Sequence, residues 1–130
     1  MSPKRTEVSL MKLFRIEDFI NTKNPKPGQR FTQDILPRKG DSSQLAGIFG
    51  LLEPHTQVPY HYHKQRHSII IVIGGEATEI IEGKEIPIKT HDVLYIPPGE
   101  KHMILNKTDT AFQYLEFFTN VTPDDFVEVK

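Results

Sequence analysis

The stretch HYHKQRHSIIIVIGG, residues 61–75, places three of the chain's six histidines in seven positions and follows them at once with an apolar run. Along a β-strand, side chains two apart point the same way, so His61 and His63 aim at one space and Tyr62 points away from it. Lys64-Gln65-Arg66 is polar and suits a tight turn, after which His67 opens a second strand beside His63. Ser68–Ile73 is apolar on both faces. A strand with one wet face alternates, so this one is expected to be central, its second face covered by another sheet or another subunit.

Outward from this stretch, turn signals recur at short intervals: RKGDS, EPHTQ, GGE, EGK, KTHD, PPGE and NKTDT. The segments between them are short and rich in β-formers: 30–36, 44–52, 59–63, 67–73, 77–82, 84–89, 93–96, 101–106 and 111–119. IIEGKEI reads as a hairpin in which Gly83 takes a positive φ. Many short strands and no long helical periodicity predict an all-β sandwich or barrel. It is expected to span residues 31–122, with a tail at 123–130. Residues 1–30 read as an N-terminal extension or arm. Its first ten residues are polar and expected to be loose; Lys12–Ile20 can form a helical turn through Phe14, Asp18 and Phe19. NTKNPKPGQR then stops any helix with two prolines and a glycine.

Composition narrows the function classes. At 130 residues and 37% hydrophobic, the chain is long enough for one domain with a real core. Sixteen Lys and Arg against seventeen Asp and Glu, mixed along the chain, argue against a nucleic-acid or membrane-surface protein. With no cysteine, disulfides and thiolate metal ligands are excluded. MSPKRTEVSL lacks the apolar core of a signal peptide, and SIIIVIGG is too short to span a bilayer. A soluble, cytoplasmic protein is the default expectation.

Imidazole is a common ligand for zinc, iron, nickel and copper, and a catalytic site needs about three protein ligands plus an open position. The histidine spacing alone leaves two readings: a metal site, or exposed histidines in a loop. A second stretch, DVLYIPPGEKHMILN (Asp92–Asn106), sets His102 after a strand and a Pro-Pro-Gly turn. Together the two stretches resemble the motifs of the cupin superfamily. His61-Tyr62-His63 matches its His-x-His, and Gly74 the glycine closing its first motif. Pro97-Pro98-Gly99, His102 and Asn106 match the second motif at the expected spacing. The resemblance covers roughly residues 40–120. It implies a small double-stranded β-helix, or jelly-roll, barrel.

This chain departs from the family pattern in places. The family's metal-binding glutamate falls on His67, and the opening glycines of the two motifs fall on His55 and His91. Carried over position by position, the ligand set becomes His61, His63, His67 and His102. Such a set leaves the whole +2 charge of a divalent ion uncompensated, which favours anionic ligands. It also moves preference from manganese toward iron, nickel, zinc or copper. The alternative is a metal site lost in favour of organic-ligand binding. His91, in the KTHD turn, reads as a residue tolerated at positive φ, and His55 as a loop residue. Tyr95, Gln113 and Gln65 are candidate pocket residues, although a turn residue such as Gln65 is more often exposed. In AFQYLEFFT, Phe112, Tyr114, Glu116 and Phe118 share one face; a glutamate among aromatics suggests an edge or interface, which leaves the Gln113 face for a pocket. Asn106 is expected to fix a backbone turn.

The resulting expectation is a metal-dependent binding barrel acting on a small organic molecule, oxygenase-like in chemistry. The alternatives are a non-oxidative isomerase or lyase, and a non-catalytic sugar or organic-acid sensor. The family resemblance and the doubly apolar strand also suggest a homodimer, with residues 12–36 free to add a strand to a partner's sheet.

Overall fold

The structure, a computed structural model, describes residues 11–37, 45–119 and 123–130. The loose first ten residues, the RKGDS turn and the barrel boundary near 120–122 expected from the sequence lie outside the described residues. The segments read as strands form β1 (Phe31–Leu36), β2 (Leu45–Leu52), β3 (His61–His63), β4 (Ser68–Gly74), β5 (Glu76–Ile81), β6 (Lys84–Lys89), β7 (Val93–Ile96), β8 (His102–Leu105) and β9 (Phe112–Thr119). A tenth strand, β10 (Phe126–Glu128), lies in the expected tail. Two five-stranded antiparallel sheets result, ordered β1-β2-β9-β4-β7 and β10-β3-β8-β5-β6. The all-β jelly-roll expectation holds. Among the described residues, no helix is long and apolar enough to cross a membrane.

The β5–β6 hairpin turns at Glu82 and Gly83, with φ of 48° and 81°. Two successive positive φ values match the right-handed twist of the flanking strands, and glycine carries the second without steric cost. His91 sits at φ 82°, as its turn predicted.

The period of two sorts β2, β4 and β9 into an inner and an outer face. Leu52, Ile70, Val72, Phe112 and Tyr114 point inward and meet Val58, Ala77, Ile88 and Ile104 to form the main core. The outer face carries Phe49, Leu51, Ile73 and Leu115. Within the chain its cover is the chain's own arm, not a second sheet. A five-residue helix, α1 (Ile16–Ile20), lays Phe19 against Phe49 with ring centroids 5.6 Å apart. So short a helix is not stable alone, and burial of Phe19, worth about 2–3 kcal/mol, holds it down. Gln113 fastens the same arm by donating from Nε2 to the Ile20 carbonyl at 3.0 Å.

Gly50 is what allows Tyr114 into the core. The two residues pair across β2 and β9, and a Cβ at Gly50 would lie 2.2 Å from Tyr114 Cζ.

Candidate metal centre

His61 and His63 occupy alternate positions of β3, so both point into the barrel, and both are buried. β8 runs antiparallel to β3 with His102 directly opposite His61. This register brings the three rings together: centroids lie 5.0 Å apart for His61–His63, 4.3 Å for His61–His102 and 6.2 Å for His63–His102. One ring nitrogen of each lies within 4.8 Å of the others.

An oxygen lies behind the outward nitrogen of each ring. His61 Nδ1 lies 2.6 Å from the Pro59 carbonyl oxygen, which can only accept, so Nδ1 carries the proton. His63 Nδ1 lies 3.3 Å from Asp125 Oδ2, and His102 Nδ1 lies 3.5 Å from Glu79 Oε1. The hydrogen bond of His61 leaves its Nε2 lone pair for the cavity, the arrangement that metal-binding histidines adopt, and the carboxylates behind His63 and His102 lie near their Nδ1 atoms without a formed hydrogen bond. His102 Nε2 is buried with no hydrogen-bond partner. Burial, the leading cause in each case, holds His61 down at about 4, His63 at about 3 and His102 below its usual value. Three neutral, converging imidazoles with an orphaned buried nitrogen fit a divalent transition metal.

His67 does not join this cluster. Its ring is exposed, stacks on Tyr95 with centroids 6.0 Å apart, and its Nδ1 lies 2.7 Å from the Tyr95 hydroxyl. The KQR turn explains the difference: His67 precedes β4, where Ser68 and Ile70 are buried and Ile69 is exposed, so strand parity turns His67 outward with Ile69. The candidate pocket residues are also elsewhere. Tyr95 is 57% exposed, Gln113 binds the arm, and Gln65 is exposed, its backbone N–H donating to Asp125 Oδ1 at 2.6 Å. His55 is a loop residue paired with Asp109 at 3.0 Å. Asn106 is fully buried and ties three backbone carbonyls, those of Leu52, Glu53 and Thr110, as its turn predicted.

Arg66 and Glu116 line the cavity beside the histidines, and the edge or interface expected for Glu116 is corrected, because β9 lies between β2 and β4 and its Glu116 face, not its Gln113 face, turns to the cavity. Glu116 is on the inner face of β9, and Arg66 reaches it to form a buried ion pair. Arg66 Nε also donates to Ser68 Oγ at 2.9 Å, and its guanidinium lies 3.6 Å from the centre of the Phe118 ring. The cavity, about 220 Å³, is further lined by Arg30, Tyr114, Ile48 and Phe126. The signal was present as a glutamate in an aromatic face, but its partner lies fifty residues away in sequence.

Comparison with known proteins agrees with the fold. The family model for a cupin domain matches residues 49–118. The chain is a cupin. It is 34% identical over 64 residues to an oxalate-binding protein of Thermotoga maritima, a match covering 49% of this chain and 53% of that protein. The chain thus spans about half the length of that relative. It is 25% identical over 100 residues to L-ectoine synthase of Halalkalibacterium halodurans, covering 76% and 78% of the two chains. A crystal structure of a Klebsiella pneumoniae protein with a double-stranded β-helix domain superposes with a TM-score of 0.74 at 18% identity, covering 91% of this cupin and 96% of that chain. That last likeness speaks to the fold alone.

Proposed function

We propose that this cupin binds a divalent transition metal through His61, His63 and His102, and acts there on a small organic anion. The convergence of three buried, neutral imidazoles is the observation that carries the reading. Iron, nickel, zinc and copper suit an all-nitrogen set better than manganese. Such an ion supplies Lewis acidity and, when redox-active, electron transfer.

The rest follows from this chain's own residues. Arg30 and Arg66 face the cavity against one carboxylate, Glu116. The lining is therefore net positive before any metal enters, and an anion is the favoured guest. A volume of about 220 Å³ is below the range of drug-sized sites, so the guest is small. Arg66 can turn a forked pair of N–H donors to a carboxylate. Glu116 can accept or return a proton at its carboxylate oxygen. Ile48, Val58, Ile70 and Ile104 line the same cavity and limit water around the guest. That the relatives include an oxalate-binding protein and a synthase fits a small-molecule role.

Oxygenase-like chemistry is the leading reading, because among the described residues the cluster consists of three histidines without a carboxylate. The Arg66–Glu116 pair favours a second, a non-oxidative isomerase or lyase that needs only a proton acceptor. Metal-loaded protein assayed against small carboxylic acids, diketones and thiols, with and without oxygen, separates them. Oxygen uptake supports the first, and anaerobic turnover the second. Thermal stabilisation without product indicates a binding protein. If neutral and anionic guests bind alike, and Arg66→Met changes neither, the anion reading fails.

A homodimer is proposed on the exposed apolar residues Ile69, Val93 and Tyr95, on β4 and on β7 at the sheet edge. A sedimenting species of one chain at micromolar concentration contradicts it.

A further inference from the structure

The C-terminal residues fold onto the strand that carries the histidines. β10 pairs with β3 in the register Phe126↔His63, Val127↔Tyr62 and Glu128↔His61. Two backbone bonds bracket this pairing: Lys64 N donates to the Asp125 carbonyl and Val129 N to the Tyr60 carbonyl, both at 2.9 Å. The Phe126 ring stacks on His61, with centroids 4.6 Å apart and planes at 23°, and meets His63 edge-on at 5.7 Å. Asp125 is 4% exposed. Its Oδ1 accepts from Gln65 N, while Oδ2 faces His63 Nδ1. Neither Oδ2 nor that Nδ1 has a hydrogen-bond partner. A second carboxylate repeats the arrangement: Glu79 is 1% exposed, faces His102 Nδ1, and neither of its oxygens has a hydrogen-bond partner.

Two nearly inaccessible carboxylates behind two ligand-type histidines need an explanation, because a buried carboxylate without a partner is costly. Three neutral imidazoles bring no negative charge to a divalent cation. Asp125 and Glu79 stand where they can bring it through the rings. When ionised, a carboxylate accepts but does not donate, so it also keeps the imidazole proton on Nδ1 and the lone pair on Nε2.

We propose that Asp125 and Glu79 are positioning residues of the metal centre, and that metal binding and docking of the C-terminal segment stabilise each other. The inference rests on the metal-binding reading above and adds a consequence to it. Asp125 belongs to the segment that it fastens, so whatever strengthens its contact with His63 also holds β10 on β3. Linkage makes the effect reciprocal: what loosens the segment weakens the metal site.

The test uses the full chain and Zn²⁺ as probe, with Co²⁺ for spectroscopy. In the unaltered protein, hydrogen exchange is followed at the Lys64 and Val129 amides. Zn²⁺ is expected to slow both at least about tenfold, beyond any change at the β1–β2 amides. In Asp125→Asn, the side-chain amide facing His63 Nδ1 favours the wrong tautomer. Zn²⁺ affinity is expected to fall about 10–100-fold and the Co²⁺ visible spectrum to change, while the circular dichroism of the metal-free protein stays the same. Glu79→Gln is expected to weaken Zn²⁺ binding in the same direction. Unchanged Zn²⁺ affinity in both variants overturns the inference, and so does Zn²⁺ binding that leaves Lys64 and Val129 exchange unaltered. The exchange experiment needs no variant to fold. If the unaltered protein takes up neither metal, the metal-binding reading itself fails, a result distinct from the other two.

Discussion

Replacing Glu116 by glutamine removes the charge of the Arg66–Glu116 pair and keeps its shape. The two side chains are 11% and 10% exposed, so each depends on the other in a setting poor in water. Breaking a buried pair by removing one partner costs about 3–5 kcal/mol when the survivor has no other support. Arg66 keeps its hydrogen bond to Ser68 Oγ and its place over the Phe118 ring, and a neutral amide oxygen still accepts from it. These offset part of the loss and bring the expected cost to about 2 kcal/mol. Arg66→Met with Glu116→Leu leaves no stranded charge and should cost less than about 1 kcal/mol. With the Arg66→Met and Glu116→Leu single variants, each of which strands its partner, completing the cycle, the coupling energy should be about 4 kcal/mol, read by urea unfolding of metal-free protein at pH 7. A cost for Glu116→Gln below about 0.5 kcal/mol, or a double variant as unstable as the sum of its singles, refutes the reasoning. It would mean that the pair behaves as an exposed one.

Further predictions concern the metal-free protein. His61 and His63 are held at about 4 and about 3, below the usual 6.5. The unfolded chain therefore binds more protons between those values, so stability is full above about pH 6.5 and falls as pH drops through the histidine window. Glu79 has the opposite sign. Burial, with the Glu116 charge, raises it from 4.5 to about 8, so its contribution is full below 4.5 and is lost as pH rises toward 8. The urea midpoint should pass through a maximum with pH, and Glu79→Gln should remove the alkaline decline while leaving the acid one. Phe19→Ala should cost about 3 kcal/mol and speed proteolysis within residues 11–30; unchanged cleavage there would mean that the arm is not held by this ring. Gly50→Ala should cost about 1–3 kcal/mol in urea unfolding, since the new methyl meets the buried Tyr114 ring.

Most of the fold was legible because strand parity and turn chemistry are local. Gly83 announces its hairpin and His91 its turn, and β4, apolar on both faces, is correctly central, with β9 on one side and β7 on the other. What covers its second face was not legible. Phe19, on a helix too short to announce itself, and Phe14 just before it carry that information. At the site, His61, His63 and His102 were readable from two spaced motifs. The structure sets His67 apart from these three, against Tyr95, because the motif position takes no account of the parity of the strand that follows it. Arg66, Glu116, Glu79 and Asp125 were missed for a common reason. Each gains meaning from a partner far along the chain: Glu116 for Arg66, His102 for Glu79 and His63 for Asp125. The tail 123–130 was set outside the barrel because β10 is only three residues long and is specified by the strand it joins.

The most direct measurement is elemental analysis of protein expressed with iron, nickel, copper, zinc and manganese supplied together, beside the His102→Ala and His67→Ala variants. The three-histidine account predicts about one transition-metal ion per chain in the unaltered protein and in His67→Ala, and its loss in His102→Ala. A metal lost from His67→Ala as readily as from His102→Ala, or no metal in the unaltered protein, contradicts it.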